Sequence, residues 1–221
     1  MTDQAKQYLN YERLLIVGCG GHSKVVTDIA TSQGYLNISY LNAMGGDERF
    51  LGRQVIHYEL SGYEDAFFVA IGDNSVRQRV TADFLAKNPR ARLISLIHSS
   101  SVVSKNTSIG KGVVVMPLCV INHSTVVGDG VVINTRSSVD HDCTLQDFSS
   151  VAPGVSMGGN VWVGERSAVS IGATIKHGVR IGRDVVIGAN SLVLSDIEDS
   201  CVVYGLPATK IRDRVQGEKY L

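Results

Sequence analysis

Aromatic residues make up only 6% of the 221-residue chain, with a single tryptophan among them. A core filled by large rings is thereby excluded, and the apolar content must lie in small and branched aliphatics. An excess of either charge is also missing. The 21 Lys and Arg residues balance 21 Asp and Glu, so the chain lacks the electrostatic footprint of a nucleic-acid partner or of binding to an anionic membrane. Long hydrophobic runs are absent. Stretches such as Gly112 to Met116 fall far short of the roughly 20 residues needed to cross a bilayer. The first residues are polar and hold no signal-peptide core, which points to the cytoplasm. Cys19, Cys119, Cys143 and Cys201 share no metal-ligand or redox spacing, so no metal is expected and the thiols read as packing residues in a reducing compartment. Cys143 as a nucleophile is disfavoured by its place in an inward column.

What is present is a register. Steps of six from Ile109 reach Val115, Ile121, Val127 and onward to Val193 without meeting a polar residue. Four positions after each aliphatic sits a small or β-branched residue in nearly every case, as at Cys119, Thr125 and Val131. Neither a helical nor a strand period generates this, so the unit is a hexapeptide. A β-sandwich would not keep one phase over so many turns. Gly110, Asn122, Gly128, Asn134, Gly164, Gly182 and Gly188 follow the aliphatic and read as corner residues tolerant of tight backbone. Each repeat is a short strand plus a corner, and three make one triangular coil of about 18 residues whose stacking buries the aliphatic column.

The first hundred residues differ. Leu14 to Val17 reads as a strand, Gly18-Cys19-Gly20-Gly21-His22 as a glycine loop, and Ser23 to Gln33 as a helix. A second strand is expected over Ile38 to Leu41, and a third over Phe67 to Ile71, ending in Gly72-Asp73-Asn74. A helix over Ser75 to Asn88 and a strand over Leu93 to Ile97 complete the pattern. This is a small Rossmann-like parallel sheet (residues 1–96) followed by a coil domain with a tail (97–221), with ligands expected beyond the carboxyl ends of the strands. Ser23 stands where a dinucleotide fingerprint has its third glycine, and the sheet is about half the usual size, so a nucleotide sugar is the better-sized guest. The glycines alternatively serve only a tight turn, and His22 either meets a phosphate or base or caps the helix.

In the hexapeptide Val139 to Thr144, His141 and Asp142 occupy the third and fourth positions. Both lie on the outer surface at a corner, where a carboxylate reaches the neighbouring imidazole. A neutral imidazole takes a proton near pH 7, and a carboxylate on its other nitrogen fixes the tautomer. In an arbitrary protein such a dipeptide is a solvated corner; set in the segment Asn134 to Cys143 of a hexapeptide coil, it points to direct acyl transfer.

Glycine loop, small sheet, hexapeptide coil and this histidine segment occur in the same order in a group of bacterial nucleotide-sugar N-acetyltransferases, which the chain resembles from about Leu14 to Arg212, including the closing Gly205-Leu206-Pro207-Ala208. The resemblance, not the spacing, implies a left-handed β-helix, since ordinary parallel crossovers are right-handed. It also implies a homotrimer with acetyl-CoA in the groove between adjacent coils. The nucleotide sugar lies on the amino-terminal domain, with its 4-amino group beside His141. His141 is then the general base and Asp142 its orienting partner. Gly20, Gly21, His22, Gly72 and Asn74 match the substrate loops. Ile171 and Ala189 match residues of the CoA groove. Gly159, in Met157-Gly158-Gly159-Asn160, belongs to the cofactor side, where a backbone N–H would stabilise an oxyanion.

Two departures carry weight. Where the bacillosamine branch of the family ends its second strand in two aspartates, this chain has Asn42-Ala43. That weakens a UDP sugar and leaves room for guanine without establishing GDP; the resemblance as a whole is nearest to the perosamine branch, which makes GDP-perosamine the expected substrate. Where that branch has a second histidine near CoA and substrate, this chain has Ser150. Asn134 and His123 either orient the sugar or are plain surface residues. Trp162 packs on a neighbouring subunit or on CoA, and Arg136, Lys176 and Arg183 meet CoA phosphates or water. Competing readings are a UDP-4-amino-sugar (bacillosamine-type) N-acetyltransferase, a sialic-acid-type O-acetyltransferase with the same base, and a non-catalytic scaffold.

Overall fold

A computed structural model describes residues 13–57 and 59–220. The first twelve residues, on which the absence of a signal sequence was read, lie outside the described residues. The chain divides into two compact units, one running through Gly72 and including Val76–Ser99, the other comprising Asp73–Ser75 and everything from Ser100. The boundary expected after residue 96 falls inside the first unit.

In the first unit β1 (Arg13–Val17) leads through the glycine loop to α1 (Gly21–Ser32) and β2 (Asn37–Leu41). A short antiparallel hairpin follows, β3 (Arg49–Phe50) and β4 (Arg53–Ile56), and then β5 (Ala66–Val69), α2 (Asn74–Lys87, whose first two residues count with the second unit) and β6 (Arg92–Leu93). The order across the sheet is β3-β4-β2-β1-β5-β6. β1 lies parallel to both β2 and β5, so the topology reverses beside β1, where ligands bind in open α/β sheets. Leu14, Leu15 and Ile16 are buried on both sides, which is why β1 reads as an unbroken apolar run instead of an alternation.

The structure corrects several expectations. The β3–β4 hairpin was not read, because its strands span only two and four residues and the first residue of its Leu51-Gly52 turn, at φ 50, is a leucine where a turn signal would be expected. The expected strand over Leu93 to Ile97 is split into Arg92–Leu93 and Leu96–Ile97. The third strand stops at Val69, where Ala70 N–H turns to donate to Val17 O.

The second unit is a parallel β-helix. Strand partners are eighteen residues apart, as in Val114↔Val132, Val120↔Ser138 and Val126↔Thr144. Face I runs from Val102–Val103 to Leu192–Val193 and face II from Ser108–Ile109 to Arg180–Ile181. Face III runs from Val114–Val115 to Val186–Ile187 and then takes on Cys201–Gly205 and the antiparallel Ala208–Asp213. From Val115 to Val193 every aliphatic of the six-residue register is buried, and so is every member of the small column, including Cys119, Thr125, Ser137 and Cys143. Truncating one inward Ile or Leu to alanine costs about 2–5 kcal/mol.

The corner chemistry differs from the reading above. The left-handed residue is the third after the aliphatic, at Leu118, Ser124, Arg136, Asp142, Phe148 and Asn160 among others, with φ of 55 to 62 in these six. The glycines one position after the aliphatic meet another demand. A Cβ on Gly164 would stand 2.4 Å from the Gly182 carbonyl carbon of the next coil, so close stacking, not a turn torsion, excludes a side chain there.

Candidate functional site

The corner joining face I to face II stacks His123, His141, Gly159 and His177 at eighteen-residue intervals. Its backbone is pinned from both sides: Asp142 N–H donates to His123 O at 3.0 Å, and His141 O accepts from Asn160 N–H at 2.9 Å. Asp142 takes the left-handed conformation, φ 57, which aspartate tolerates better than most residues. Its Oδ2 lies 2.7 Å from His141 Nδ1. Both side chains are about half exposed, and Nε2 takes no hydrogen bond from the described residues, so its lone pair is open when Nδ1 carries the proton. The bond to Asp142 raises the His141 pKa, with smaller help from the Asp140 and Asp142 charges and some opposition from desolvation. The ring lies against Gly159, where a Cβ would come within 2.6 Å of Cε1 and Nε2. Within the glycine stretch, Gly158 N–H and Asn160 N–H are spent on Ile175 O and His141 O, which leaves Gly159 N–H beside the imidazole.

Other expected residues fall elsewhere on the coil. His123 engages Ser124 Oγ through Nδ1 at 2.6 Å and Asn106 through Nε2. Asn134 lies next to the corner between faces III and I, where its Oδ1 accepts from Thr135 N–H at 2.8 Å. Ile171 and Ala189 stand exposed on that same corner, one coil apart. Ser150 is on face III and accepts from Asn74 Nδ2 at 3.0 Å. Asn74 is a correction: it is fully buried, and Nδ2 also donates to Arg166 O and Ser167 O. Its amide group holds the coil and is not free for a sugar. Cys143 points inward, donates to Gly158 O, and has its pKa raised by burial. The Trp162 ring is covered by the Arg180 guanidinium at 3.7 Å, and Arg183 pairs with Asp199.

In the first unit the glycine loop splits into two roles. Gly18, at φ 116, approaches Ala70 O to 3.0 Å counted from a Cβ and is structural. Gly20 and Gly21 have open space where a Cβ would stand, and neither is left-handed. Nothing in the fold demands glycine there, while α1 begins at that point without a side-chain cap or an acidic first turn, leaving amides and a positive helix end for an anion. The capping role considered for His22 is therefore not taken. Burial, and secondarily Arg77, lower its pKa to about 4, and its buried Nε2 has no hydrogen-bond partner among the described residues. Arg77 is itself buried, with donors on Ile71 O and Gly72 O. Asn42 spends its side chain on Gly45 O and Met44 N–H. Ala43 instead lines a cavity of about 190 Å³ with the apolar Val17, Leu41, Leu60, Val80 and Phe84 and the charged Glu59, Asp83 and Lys87.

Sequence reasoning missed Asp140, whose Oδ1 accepts from both Asn122 Nδ2 and His141 N–H at 2.8 Å. The eighteen-residue spacing of Asn122 and Asp140 was the signal available. Among the described residues no group of three or more His, Cys, Asp or Glu is placed to hold a metal, and no helix is long and apolar enough to cross a membrane.

Residues 13–84 match the family model described as the PglD N-terminal domain. The chain is 32% identical over 114 residues to the UDP-N-acetylbacillosamine N-acetyltransferase of Bacillus subtilis (48% of this chain, 51% of that protein). It is also 32% identical over 123 residues to the GDP-perosamine N-acetyltransferase of Escherichia coli O157:H7 (56% and 54%). These matches span about half the length of each curated relative. Two solved structures are matched over nearly their whole length. The acetyltransferase domain of PglB from Neisseria gonorrhoeae, in complex with acetyl coenzyme A, is 34% identical with a TM-score of 0.85, covering 90% of this chain and 99% of that one. A histidine-to-alanine mutant of GDP-perosamine N-acetyltransferase from Caulobacter crescentus, in complex with CoA and GDP-perosamine, is 34% identical with a TM-score of 0.84, covering 92% and 98%. The common fold makes the coil a left-handed β-helix.

Proposed function

Because the chain belongs to the nucleotide-sugar N-acetyltransferase family, we propose that it moves the acetyl group of acetyl-CoA onto the 4-amino group of a nucleotide-linked 4-amino-4,6-dideoxyhexose, with GDP-perosamine as the substrate. The observation that carries this reading is the exposed His141–Asp142 pair on a pinned corner, with Nε2 open.

Asp142 keeps the proton on Nδ1, so His141 Nε2 is the base. It takes the proton of the amine as nitrogen bonds to the thioester carbonyl carbon. The carbonyl oxygen becomes an oxyanion, for which Gly159 N–H is the donor at hand. When the intermediate collapses, the carbon–sulfur bond breaks, the thiolate leaves, and the imidazolium returns its proton to sulfur or to water. The open space over Gly20 and Gly21, with the uncapped start of α1, suits the diphosphate. The cavity beside Ala43 has apolar walls for a nucleobase and the Glu59 and Asp83 carboxylates to accept hydrogen bonds from its N–H groups, which suits a guanine, and Asn42-Ala43 lacks the two strand-end aspartates of the bacillosamine branch. The exposed Ile171–Ala189 edge suits acetyl-CoA against a neighbouring coil of a homotrimer.

A UDP-4-amino sugar is the second reading, favoured by an identity to the UDP-N-acetylbacillosamine enzyme equal to that with the GDP-perosamine enzyme, 32% in each. A thiol-release assay with acetyl-CoA, offering GDP-perosamine and UDP-4-amino-4,6-dideoxy-N-acetylglucosamine side by side, tests both. Faster turnover of the GDP sugar is expected. Preference for the UDP sugar overturns the base assignment and leaves the His141 chemistry standing. Absence of acetyl-CoA binding by calorimetry overturns the enzymatic reading itself.

A further inference from the structure

We propose that Asn122 and Asp140 form a positioning device for His141, in which the asparagine of one coil clamps the aspartate of the next so that its carboxylate fixes the start of the corner and adds a second negative charge beside the imidazole. The inference rests on His141 being the base.

Asp140 ends the face I strand that delivers the corner, and it is held on every side. Asn122, directly below it in the stack, donates Nδ2–H to Oδ1 at 2.8 Å, and His141 N–H donates to the same oxygen at 2.8 Å. Its carbonyl accepts from Thr125 Oγ at 2.8 Å, and Thr125 is a fully buried member of the inward column. Its N–H donates to Met157 O at 3.2 Å. The two backbone bonds recur at other repeats, as in Gly158 N–H to Ile175 O and Ser167 Oγ to Gly182 O; the two to the carboxylate belong to Asp140 itself, and an aspartate that merely solvates a corner needs neither. The next coil has Gly158 at this position, so stacking alone does not call for a side chain here.

The clamp also maintains charge. Asn122 and the His141 N–H hold the Asp140 carboxyl below the usual carboxylate range, so it stays ionised wherever His141 titrates. The groups facing the imidazole are Asp142 on Nδ1 and Asp140 at the preceding residue. On the coil below it is His123, engaged with Ser124 and Asn106, and on the coil above the chargeless Gly159, with His177 one coil further. The two carboxylates are the acidic groups among these, and only Asp142 touches the ring. Asp140 therefore acts through geometry and field, not as a proton carrier.

The test is an NMR titration of the His141 ring in the full chain without substrate, assigned by its loss in His141→Asn, for wild type, Asp140→Asn and Asn122→Ala. Asp140→Asn keeps the shape and removes the charge; Asn122→Ala keeps the charge and removes the clamp. In both, the His141 midpoint is expected at lower pH than in wild type, more so in Asp140→Asn. In both, kcat falls roughly ten- to a hundred-fold with KM and thermal midpoint nearly unchanged, and the acid limb of the rate profile moves with the NMR midpoint. An unmoved His141 midpoint in Asp140→Asn, whatever happens to stability, overturns the proposal and makes Asp140 a corner cap. The titration needs no turnover, so a wild-type chain that fails to acetylate either sugar sinks the reading of function while the NMR result still decides the clamp.

Discussion

His141 and Asp142 are adjacent in sequence, and the hexapeptide phase placed both outside at a corner, so the pair could be recognised without coordinates. The Asn122–Asp140 clamp could not, because it exists only once residues eighteen apart are stacked. Asn74 was misread for a related reason: a polar residue after a strand looks like a ligand contact until the coil backbone claims its amide. At this scale the expectation is kinetic. His141→Asn keeps shape and loses the proton acceptor, so kcat should fall by roughly 10²–10⁴ with KM little changed. Because the Asp142 hydrogen bond stabilises the imidazolium, the basic form is reached at higher pH than for an ordinary histidine. The acid limb of the wild-type profile is thus displaced upward, and stopped-flow rates between pH 5.5 and 8.5 check it. A loss confined to KM would make His141 a binding residue.

The repeat dictated strand length, coil period and both inward columns, since each depends on the side-chain pattern alone. It did not dictate why glycine recurs after the aliphatic, because that demand comes from the backbone of the neighbouring coil. The β3–β4 hairpin was invisible for the converse reason, having no periodicity long enough to read. Two glycine substitutions separate stacking from chemistry. Gly164→Ala drives a Cβ into backbone of the next coil, and backbone cannot step aside, so it should destabilise by about 1–3 kcal/mol and lower the unfolding midpoint. Gly159→Ala drives a Cβ into the His141 ring, which can rotate away. It should leave the unfolding midpoint nearly in place while cutting kcat at least as far as the clamp variants do. Thermal unfolding read alongside turnover distinguishes them, and equal loss of stability in both would show that the ring is not the yielding partner.

Burying two columns says nothing about what covers the outside of a coil, and here the sequence left the question to resemblance. The described surface carries large aliphatics that the single chain does not bury: Val102 is 65% exposed, Ile171 59%, Leu118 58%, and Val126 and Leu194 47% each. They are spread over faces I and II and their flanking corners, whereas on face III the outward Val114, Val132 and Ala168 are buried and the exposed Leu206 and Ile211 lie on its closing hairpin. A closed cyclic assembly that uses two different patches of each copy covers such a distribution, while an isologous dimer uses one. For the homotrimer proposed above, light scattering is expected to give three times the 23.8 kDa chain mass. Ile171→Glu, at the edge assigned to acetyl-CoA, should lower that mass and weaken acetyl-CoA binding together, with the circular dichroism of the coil retained. A variant that stays trimeric but loses acetyl-CoA would make Ile171 a cofactor contact alone, and a wild-type chain that runs as a monomer while turning over its sugar would remove the need for a groove between copies.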